Sequence, residues 1–135
     1  MDQDLKAQVD LACKTGEDFT NYYYENLDKR RHLMNRLYLD AGSLIWNGNG
    51  TTGKDEIGKF LMELPVSEHK LFSLDAQKIS DATLPNKLAF LIKVTGTVKY
   101  QGKIARSFTQ SFVITNQDAK WKIVSDCFRL QDPIN

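Results

Sequence analysis

Apolar side chains recur at steps of three and four through the first 27 positions of the chain. The positions are Leu5, Val9, Ala12, Gly16, Phe19, Tyr23 and Leu27. This spacing places them on one stripe of an amphipathic helix. A glycine inside the stripe indicates that a neighbouring element approaches closely there. We therefore predict a long N-terminal helix that packs by this stripe.

Two shorter helices are predicted further along the chain. The first covers Leu33, Met34 and Leu37, with Asp28 as its candidate N-cap. The basic residues at 29–31 could contact nucleic acid, but a solvated helix face is the favoured interpretation. The second helix follows Thr52, its candidate N-cap, and ends at Pro65, which cannot continue a helix.

Strand patterns dominate the rest of the sequence. Residues 38–46 predict a strand that ends in the Asn-Gly-Asn-Gly turn of 47–50. Four further stretches rich in Val, Ile, Phe and Thr follow, at 69–80, 87–100, 104–115 and 120–130. Turn signals at 84–86, 101–102 and 116–118 separate them, which is typical of an antiparallel meander. Helices followed by strands predict an α+β fold, with three helices on one face of a mostly antiparallel sheet.

The opposite face of this sheet has no helix left to cover it. Along 120–130 neither alternating set of side chains is plainly polar, and 88–94 is almost continuously apolar. Strands buried on both faces have this pattern. We therefore predict that the uncovered face meets another protein, and the alternative is a sheet that curls around one larger core. The predicted partner-binding residues are Trp121, Ile123, Ser125, Cys127, Arg129, Lys93, Phe72 and Leu74.

A charge inside such an interface needs a carboxylate partner, because desolvation is costly. Near a two-fold axis Arg129 would face its own copy, which favours a different protein that supplies an acid. A carboxylate of the same chain, Asp126 or Asp132, is the alternative partner. Lys93 is expected to join Arg129 on this face.

Length and composition limit the other possibilities. The chain has 135 residues, which fits one domain spanning 1–135. Eighteen basic and 17 acidic residues leave a formal charge of +1, which argues against a large phosphate footprint and hence against sequence-specific nucleic-acid binding. The two cysteines and two histidines lack metal-ligand spacing, so no metal or cofactor is expected. Neither a signal peptide nor a membrane span is predicted, and we expect an intracellular protein.

Seven segments, taken together, resemble the nuclear-transport-factor-2-like family. They are 19–23, 37–41, 44–48, 53–54, 64–65, 108–112 and 121–129. They follow one another in the family's order along most of the chain. The resemblance implies a cone-like fold of three helices on a strongly bent sheet.

Within this family, segments 27–31, 36–38, 46–49 and 125–132 are more similar to the small export subunits than to the homodimeric import factor. This similarity implies a heterodimer with the homologous domain of a large mRNA export receptor. It places Arg129 where a carboxylate of that partner is expected. It also implies binding to FG-repeat proteins of the nuclear pore through the heterodimer, and shuttling between nucleus and cytoplasm.

The alternative within the family is a homodimeric carrier of the GDP form of the small GTPase Ran. The import factor uses acidic residues around the mouth of its cavity for this purpose. Here Asn47 stands at one of those places, and residues 100–106 contain no acid. A basic loop should not recruit the same basic surface, so these residues disfavour the alternative.

The same fold also hosts isomerases and dehydratases, which need a cavity carboxylate and hydroxyl donors. The candidates here are Tyr22, Tyr38, Asp40 and Asp126. Their spacing does not mark a catalytic pair, and each has a structural explanation. A core position suits Tyr38, and Asp126 could orient Arg129. We therefore expect no enzyme activity, since a fold alone does not confer function.

Overall fold

A computed structural model of the chain describes residues 3–79 and 88–131. Its helices are α1 (Gln3–Lys29), a 3-10 helix (Arg31–Leu37) and α2 (Lys54–Met62). Its strands are β1 (Tyr38–Trp46), β2 (Asn49–Thr52), β3 (Ser67–Lys78), β4 (Ala89–Tyr100), β5 (Arg106–Gln117) and β6 (Lys120–Gln131). The predicted α+β class with three helices is confirmed. The predicted turn at 84–86 and the side chain of Asp132 lie outside the described residues.

The six strands form one sheet in the order β2-β1-β6-β5-β4-β3. Every neighbouring pair is antiparallel except β1 and β6, which run parallel. The sheet is therefore mostly antiparallel, as predicted. Strand β2 was missed because its glycine-rich sequence was interpreted as turn. Only Asn47 and Gly48 make the turn between β1 and β2, both with positive φ (51° and 87°), which suits a two-residue hairpin loop.

Helix α1 packs on β3 and the concave face of the sheet through the C-terminal two thirds of its predicted stripe. Ala12, Phe19, Tyr23 and Leu27 are buried, whereas Leu5 and Val9 are exposed. The prediction that the whole stripe is buried is therefore wrong at its N-terminal end. The close approach predicted at Gly16 is confirmed, since a Cβ there would lie 3.0 Å from the Cβ of Ala76.

Both predicted helix caps are wrong. Asp28 lies inside α1 rather than at the start of the 3-10 helix, and its carboxylate reaches β3 instead. The N-cap of α2 is Gly53 with a φ of 92°, and Thr52 is the last residue of β2. The basic segment at 29–31 has a structural use, because the Arg31 Nη2 donates to the Pro65 carbonyl at 2.8 Å.

The core lies between the helices and the concave face of the sheet and is rich in aromatic rings. Phe128 on β6 is fully buried and stacks on Trp46 with a centroid distance of 3.9 Å and an interplanar angle of 7°. Its other side faces Phe108 on β5 at 5.1 Å. Phe112, also on β5, meets Tyr23 of α1 edge-on at 4.7 Å. Burying such large rings is the main favourable contribution to folding.

Two bulges change which residues share a face of the sheet. The pairing of β3 with β4 skips Phe72, and the pairing of β5 with β6 skips Val124. One extra residue reverses the alternation of every side chain beyond it, because the period of a strand is two. The bulges also bend their strands. They decide which of the predicted partner-binding residues lie on the uncovered face.

Candidate protein-binding face

The convex side of the sheet, here called the outer face, is formed by cross-strand rows of residues from β1, β6, β5, β4 and β3. The central row runs Ile45, Cys127, Ser111, Lys93 and Asp75. Beside it lies the row Ser43, Ser125, Val113, Leu91 and Gln77, and on the other side the row Arg129, Thr109, Thr95 and Ser73. No described helix packs on these rows.

The outer face is more polar than the sequence indicated. Six of the 14 residues in these rows are Ser or Thr, and a small apolar centre is made by Ile45, Cys127, Val113 and Leu91. Ile45 is 44% exposed, which is high for a residue of a central strand. Small side chains let a second sheet approach closely, and hydroxyl groups can form hydrogen bonds across an interface or retain water there.

Arg129 lies at the edge of the outer face and is exposed. Together with Asn47, Arg106 and Leu130 it lines a cavity of about 340 Å³, and no carboxylate is among these lining residues. The Asn47 side chain has a local function, because its Oδ1 accepts a hydrogen bond from the Leu130 amide at 2.8 Å. The exposed Arg129 guanidinium beside this cavity favours a negatively charged group supplied from outside.

Asp126 cannot be the partner of Arg129. Its side chain is on the concave side of β6 and is 2% exposed. Lys93, on the outer face as predicted, stands opposite Asp75 in the register of β4 and β3. Within the described residues neither Arg129 nor Lys93 has a carboxylate within 4.0 Å. The outer face therefore presents two cations that the described chain does not neutralise by close pairing.

Three of the eight predicted partner-binding residues lie on the wrong side of the sheet. Ile123 is fully buried in the core, and the Trp121 ring packs on Phe90 with a centroid distance of 5.2 Å. The bulge at Val124 separates them from Ser125, Cys127 and Arg129, which do lie on the outer face. The prediction that all five share a face is wrong, because it assumed unbroken alternation.

The bulge in β3 likewise changes the placement of Phe72 and Leu74, the two predicted contact residues on that strand. Leu74 pairs with Val94 and packs against the core, so its placement on the outer face is wrong. Phe72 is the bulged residue itself and is 70% exposed. An exposed aromatic ring of this size is a common anchor in protein interfaces. Phe72 therefore remains a predicted contact residue beside the outer face.

Directly behind the outer face lies a buried polar network centred on Asp126. One carboxylate oxygen accepts hydrogen bonds from the Tyr38 hydroxyl at 2.6 Å and the Tyr23 hydroxyl at 3.0 Å. The other accepts from Gln110 Nε2 at 2.7 Å. The Tyr24 hydroxyl in turn donates to Gln110 Oε1 at 2.5 Å. Every member of this network is thus held by at least one other side chain.

Burial raises the pKa of Asp126 to about 6, although the hydrogen bonds from Gln110, Tyr38 and Tyr23 lower it. Burial also raises the pKa of Tyr23 and Tyr38 well above the ordinary tyrosine value, with the charge of Asp126 as the second cause. A carboxyl with such a pKa beside two phenols resembles a proton-transfer site.

The network lacks the access that catalysis requires. Its four members are each at most 2% exposed: Asp126, Tyr38, Tyr23 and Gln110. The other two catalytic candidates lie elsewhere. Tyr22 is exposed on α1, and Asp40 pairs with Lys54 at 3.0 Å on the surface. The four candidates therefore do not form one accessible site.

A half-buried polar pair ties α1 to β3. The Asp28 carboxylate accepts from the Ser67 hydroxyl at 2.7 Å and from the His69 amide at 2.8 Å, and its Oδ1 lies 2.7 Å from His69 Nδ1. Burial raises the pKa of Asp28, but the hydrogen bond to His69 and the other polar contacts outweigh it, so the pKa is lowered overall. This pair fixes the C-terminal end of α1 on the sheet.

The sequence analysis missed one residue of the outer face, Ile45, and one residue of the buried network, Gln110. Ile45 lies next to Trp46, so alternation along β1 would have placed it on the outer face once Trp46 was assigned to the core. Gln110 stands between Phe108 and Phe112 at a core position, and a polar residue in that phase marks a buried hydrogen-bond network.

Across the described residues, no helix is long and apolar enough to cross a membrane and no metal-binding cluster of His, Cys, Asp or Glu is found.

The described residues form an α+β domain in which three helices cover the concave face of a six-stranded sheet. The outer face of the sheet is left open, which is the arrangement of a protein-binding domain. Residues 15–130 match the model of the nuclear transport factor 2 (NTF2) domain. The chain belongs to the NTF2 domain family. The family resemblance stated from the sequence is confirmed.

Curated relatives are similar over almost the whole chain. The human NTF2-related export protein 2 is 44% identical over 133 residues, covering 96% of this chain and 94% of the relative. The bovine NTF2-related export protein 1 is 41% identical over 133 residues, covering 96% and 95%.

Solved structures share the fold at lower identity. NTF2 from Cryptosporidium parvum superposes with a TM-score of 0.76 at 21% identity, covering 92% of this chain and 95% of that chain. A chain of the Candida albicans Mtr2–Mex67 M domain complex gives a TM-score of 0.68 at 17% identity, covering 88% and 95%. At these identities the likeness concerns the fold alone.

Proposed function

We propose that this chain is a non-catalytic subunit that pairs, through its outer face, with the homologous domain of a large mRNA export receptor. The observation that supports this most directly is the exposed Arg129 at the edge of the outer face, which has no carboxylate within 4.0 Å among the described residues and lies beside a cavity without an acidic lining residue. The relatives with more than 40% identity carry the name of export proteins. The proposed role is to stabilise the receptor domain and to support passage of mRNA through the nuclear pore.

The chemistry of the outer face favours a partner that is similar in shape but different in charge. A second copy of this chain would bring its own Arg129 and Lys93 toward cations of the same sign, which is unfavourable across an interface. A homologous domain with a carboxylate opposite Arg129 would convert the same residues into a charge-assisted contact. The apolar centre around Ile45 and Cys127 would be buried in either case. We propose Arg129, Cys127, Ser125, Lys93 and Phe72 as partner contacts.

In this proposal the protein occurs in the nucleus and the cytoplasm, and it meets FG-repeat proteins as part of the heterodimer. It is a single domain over 1–135 without a cofactor. The absence of catalysis is supported by the closed Asp126 network and by relatives named as transport proteins. Carriage of GDP-bound Ran is disfavoured by Asn47 and by the cationic cavity next to it.

The test is co-expression with the homologous domain of the export receptor from the same organism, followed by pull-down and a binding titration. Arg129→Glu should weaken pairing by about thirtyfold or more, because opposing a buried charge costs about 2 kcal/mol or more. Cys127→Glu should abolish pairing by placing a charge in the apolar centre.

Matched controls are available on α1, which lies on the other side of the sheet. Cys13→Glu makes the same change at an exposed cysteine, and Lys6→Glu makes the same change in net charge as Arg129→Glu at an exposed position. Both should pair like the unmodified chain. Unchanged pairing of Arg129→Glu and Cys127→Glu would contradict the proposal, as would a tight homodimer that resists the receptor domain. A titration with GDP-bound Ran is expected to show no binding.

A further inference from the structure

A second concave surface lies on the helix side of the sheet, away from the outer face. It is a cavity of about 490 Å³ between α1, the end of the 3-10 helix and the start of β6. Its lining residues are Thr15, Asp18, Phe19, Tyr22, Arg36, Leu37, Lys120, Trp121 and Lys122. The volume is within the usual range for a pocket that receives a ligand. The heterodimer contacts proposed above leave this cavity open.

The walls of the cavity are aromatic. The Tyr22 side chain projects from α1 and is 54% exposed, although its neighbours Tyr23 and Tyr24 are buried. Trp121 also lines the cavity and is held in place by its contact with Phe90. Two rings facing one cavity, one fixed and one exposed, suit an aromatic or bulky apolar group that enters between them.

The rim of the cavity is cationic. Arg36, Lys120 and Lys122 line it, and none of the three has a carboxylate within 4.0 Å among the described residues. Asp18 is the one acid in the lining, and it pairs with Lys14 at 3.5 Å.

Lys122 shows how closely these cations are placed. Its ammonium group donates a hydrogen bond to the Arg36 carbonyl. Burial lowers the pKa of Lys122, and the charge of Lys120 lowers it further. An anion at the rim would relieve this repulsion.

We propose that this cavity binds an acidic segment of another protein, which places one aromatic side chain between Tyr22 and Trp121 and its flanking carboxylates against Lys120 and Lys122. The aromatic walls recognise the ring, and the cationic rim recognises the carboxylates. A phosphate backbone would also suit three cations, but an overall charge of +1 argues against the strong basic excess that nucleic-acid binding usually requires.

The probe for the test is a fluorescein-labelled peptide with one phenylalanine between pairs of aspartate and glutamate, titrated with the full-length chain at about 50 mM salt, where charge contacts are weakly screened. Two comparison peptides replace the phenylalanine with alanine or the acids with lysine. Each should bind about tenfold more weakly or worse, since each lacks one of the two recognition elements. Equal binding of either comparison peptide would overturn the proposal.

Variants of the chain then locate the site. Lys120→Glu and Tyr22→Ala alter exposed side chains of the cavity, and each should weaken binding by about tenfold with an unchanged melting temperature. Lys103→Glu, in the exposed loop between β4 and β5, is the charge-matched control and should bind normally. If Lys120→Glu binds as tightly as this control, the cavity is not the site.

Two further measurements show where the peptide binds on the chain and whether the site prefers a peptide to RNA. The chain has two tryptophans, so its indole N–H signals in a proton–nitrogen NMR spectrum are easily resolved. The peptide should shift the signal of Trp121 and leave that of the buried Trp46 unchanged. The reverse pattern, or displacement of the peptide by a lower concentration of RNA oligonucleotide than of unlabelled peptide, would overturn the proposal. Pairing with the export receptor domain should be unaffected by Tyr22→Ala, so the two proposals fail independently.

Discussion

The buried carboxyl of Asp126 should make the free energy of unfolding depend on pH, and Asp126→Asn should remove that dependence. Asp126→Asn keeps the size of the side chain and a carbonyl oxygen that can accept from Gln110, but it removes the proton equilibrium. In the unmodified protein Asp126 has a pKa of about 6 when folded, against an ordinary value of 3.8 that we take for the unfolded chain. The folded state therefore holds its proton to higher pH than the unfolded state does.

The direction in which the stability of the unmodified protein changes with pH follows from proton linkage. At pH values below 3.8 both states are protonated, so the raised pKa costs nothing there. As pH rises toward 6, the unfolded chain releases its proton first and becomes relatively more stable, so the folded protein loses stability. The full difference between the two pKa values corresponds to about 3 kcal/mol, which is reached above the folded pKa. The Asp126→Asn variant has no such dependence, because an amide does not titrate in this range.

The assay is urea unfolding of both proteins between pH 4 and pH 7.5, followed by circular dichroism. The free energy of unfolding of Asp126→Asn, minus that of the unmodified chain, should rise by about 2 to 3 kcal/mol across this range. Other titrating groups cancel in this difference. Asp10→Asn, which makes the same change at an exposed position of α1, is the matched control and should leave the free energy of unfolding close to that of the unmodified chain.

Parallel curves for Asp126→Asn and the unmodified chain would refute the reasoning, because they would mean that burial does not raise the pKa. A difference that falls with rising pH would also refute it, since the folded state would then favour the charged carboxylate. A constant offset between the curves is compatible with the prediction, because rearranged hydrogen bonds from Tyr38 affect stability equally at every pH.

Three further substitutions test the packing of the fold. Asp28→Asn should lower the free energy of unfolding by about 1 to 3 kcal/mol at neutral pH. This loss should shrink as the pH falls below 3.8 through the lowered pKa of Asp28, because the carboxylate then becomes protonated. Urea unfolding at pH 7 and at pH 3 measures the difference. Gly96→Ala should cost about 2 kcal/mol or more in the same assay, because the new Cβ would lie 2.0 Å from the Lys70 carbonyl oxygen, whereas Gly50→Ala, with open space around it, should cost far less. Phe128→Ala should cost about 3 to 5 kcal/mol, measured by thermal and urea unfolding, since it leaves a cavity between two stacked rings; a cost under about 1 kcal/mol would contradict the packing described.

Most of the architecture followed from periodicity because the segments are long. Strand β1 was predicted with its observed bounds, and the stretches that form β3 to β6 were found within a few residues. The short elements were harder, because β2 has four residues and lies beside a glycine-rich turn. The 3-10 helix and the caps of the helices depend on contacts with distant strands, which a local pattern does not contain. Asp28, for example, bonds to β3 rather than to the adjacent helix.

The binding face was only partly predictable for a related reason. A strict period of two assigns Trp121 and Arg129 to the same side of β6, and a single extra residue at Val124 reverses this relation. No residue type marks that bulge in the sequence, since Val suits an ordinary strand. Arg129 does lie on the outer face, and its charge distinguishes it in the sequence without reference to the phase of the strand. The buried network forms where several strands and a helix meet. Its residues could be named one by one from the sequence, but the hydrogen bonds between them could not be predicted.

The parallel pairing of β1 with β6 has a consequence for how the protein is made. Strand β1 leaves the ribosome before β3, β4 and β5, whereas its neighbour in the sheet, β6, follows all three. Until β6 arrives, β1 has only the short β2 beside it, and Trp46 lacks the ring on which it stacks. Closure of the core is therefore delayed until β6 has been made, as expected for contacts between distant segments. Because Cys127 and Arg129 are carried by β6, a nascent chain, or one truncated before β6, lacks these residues of the outer face.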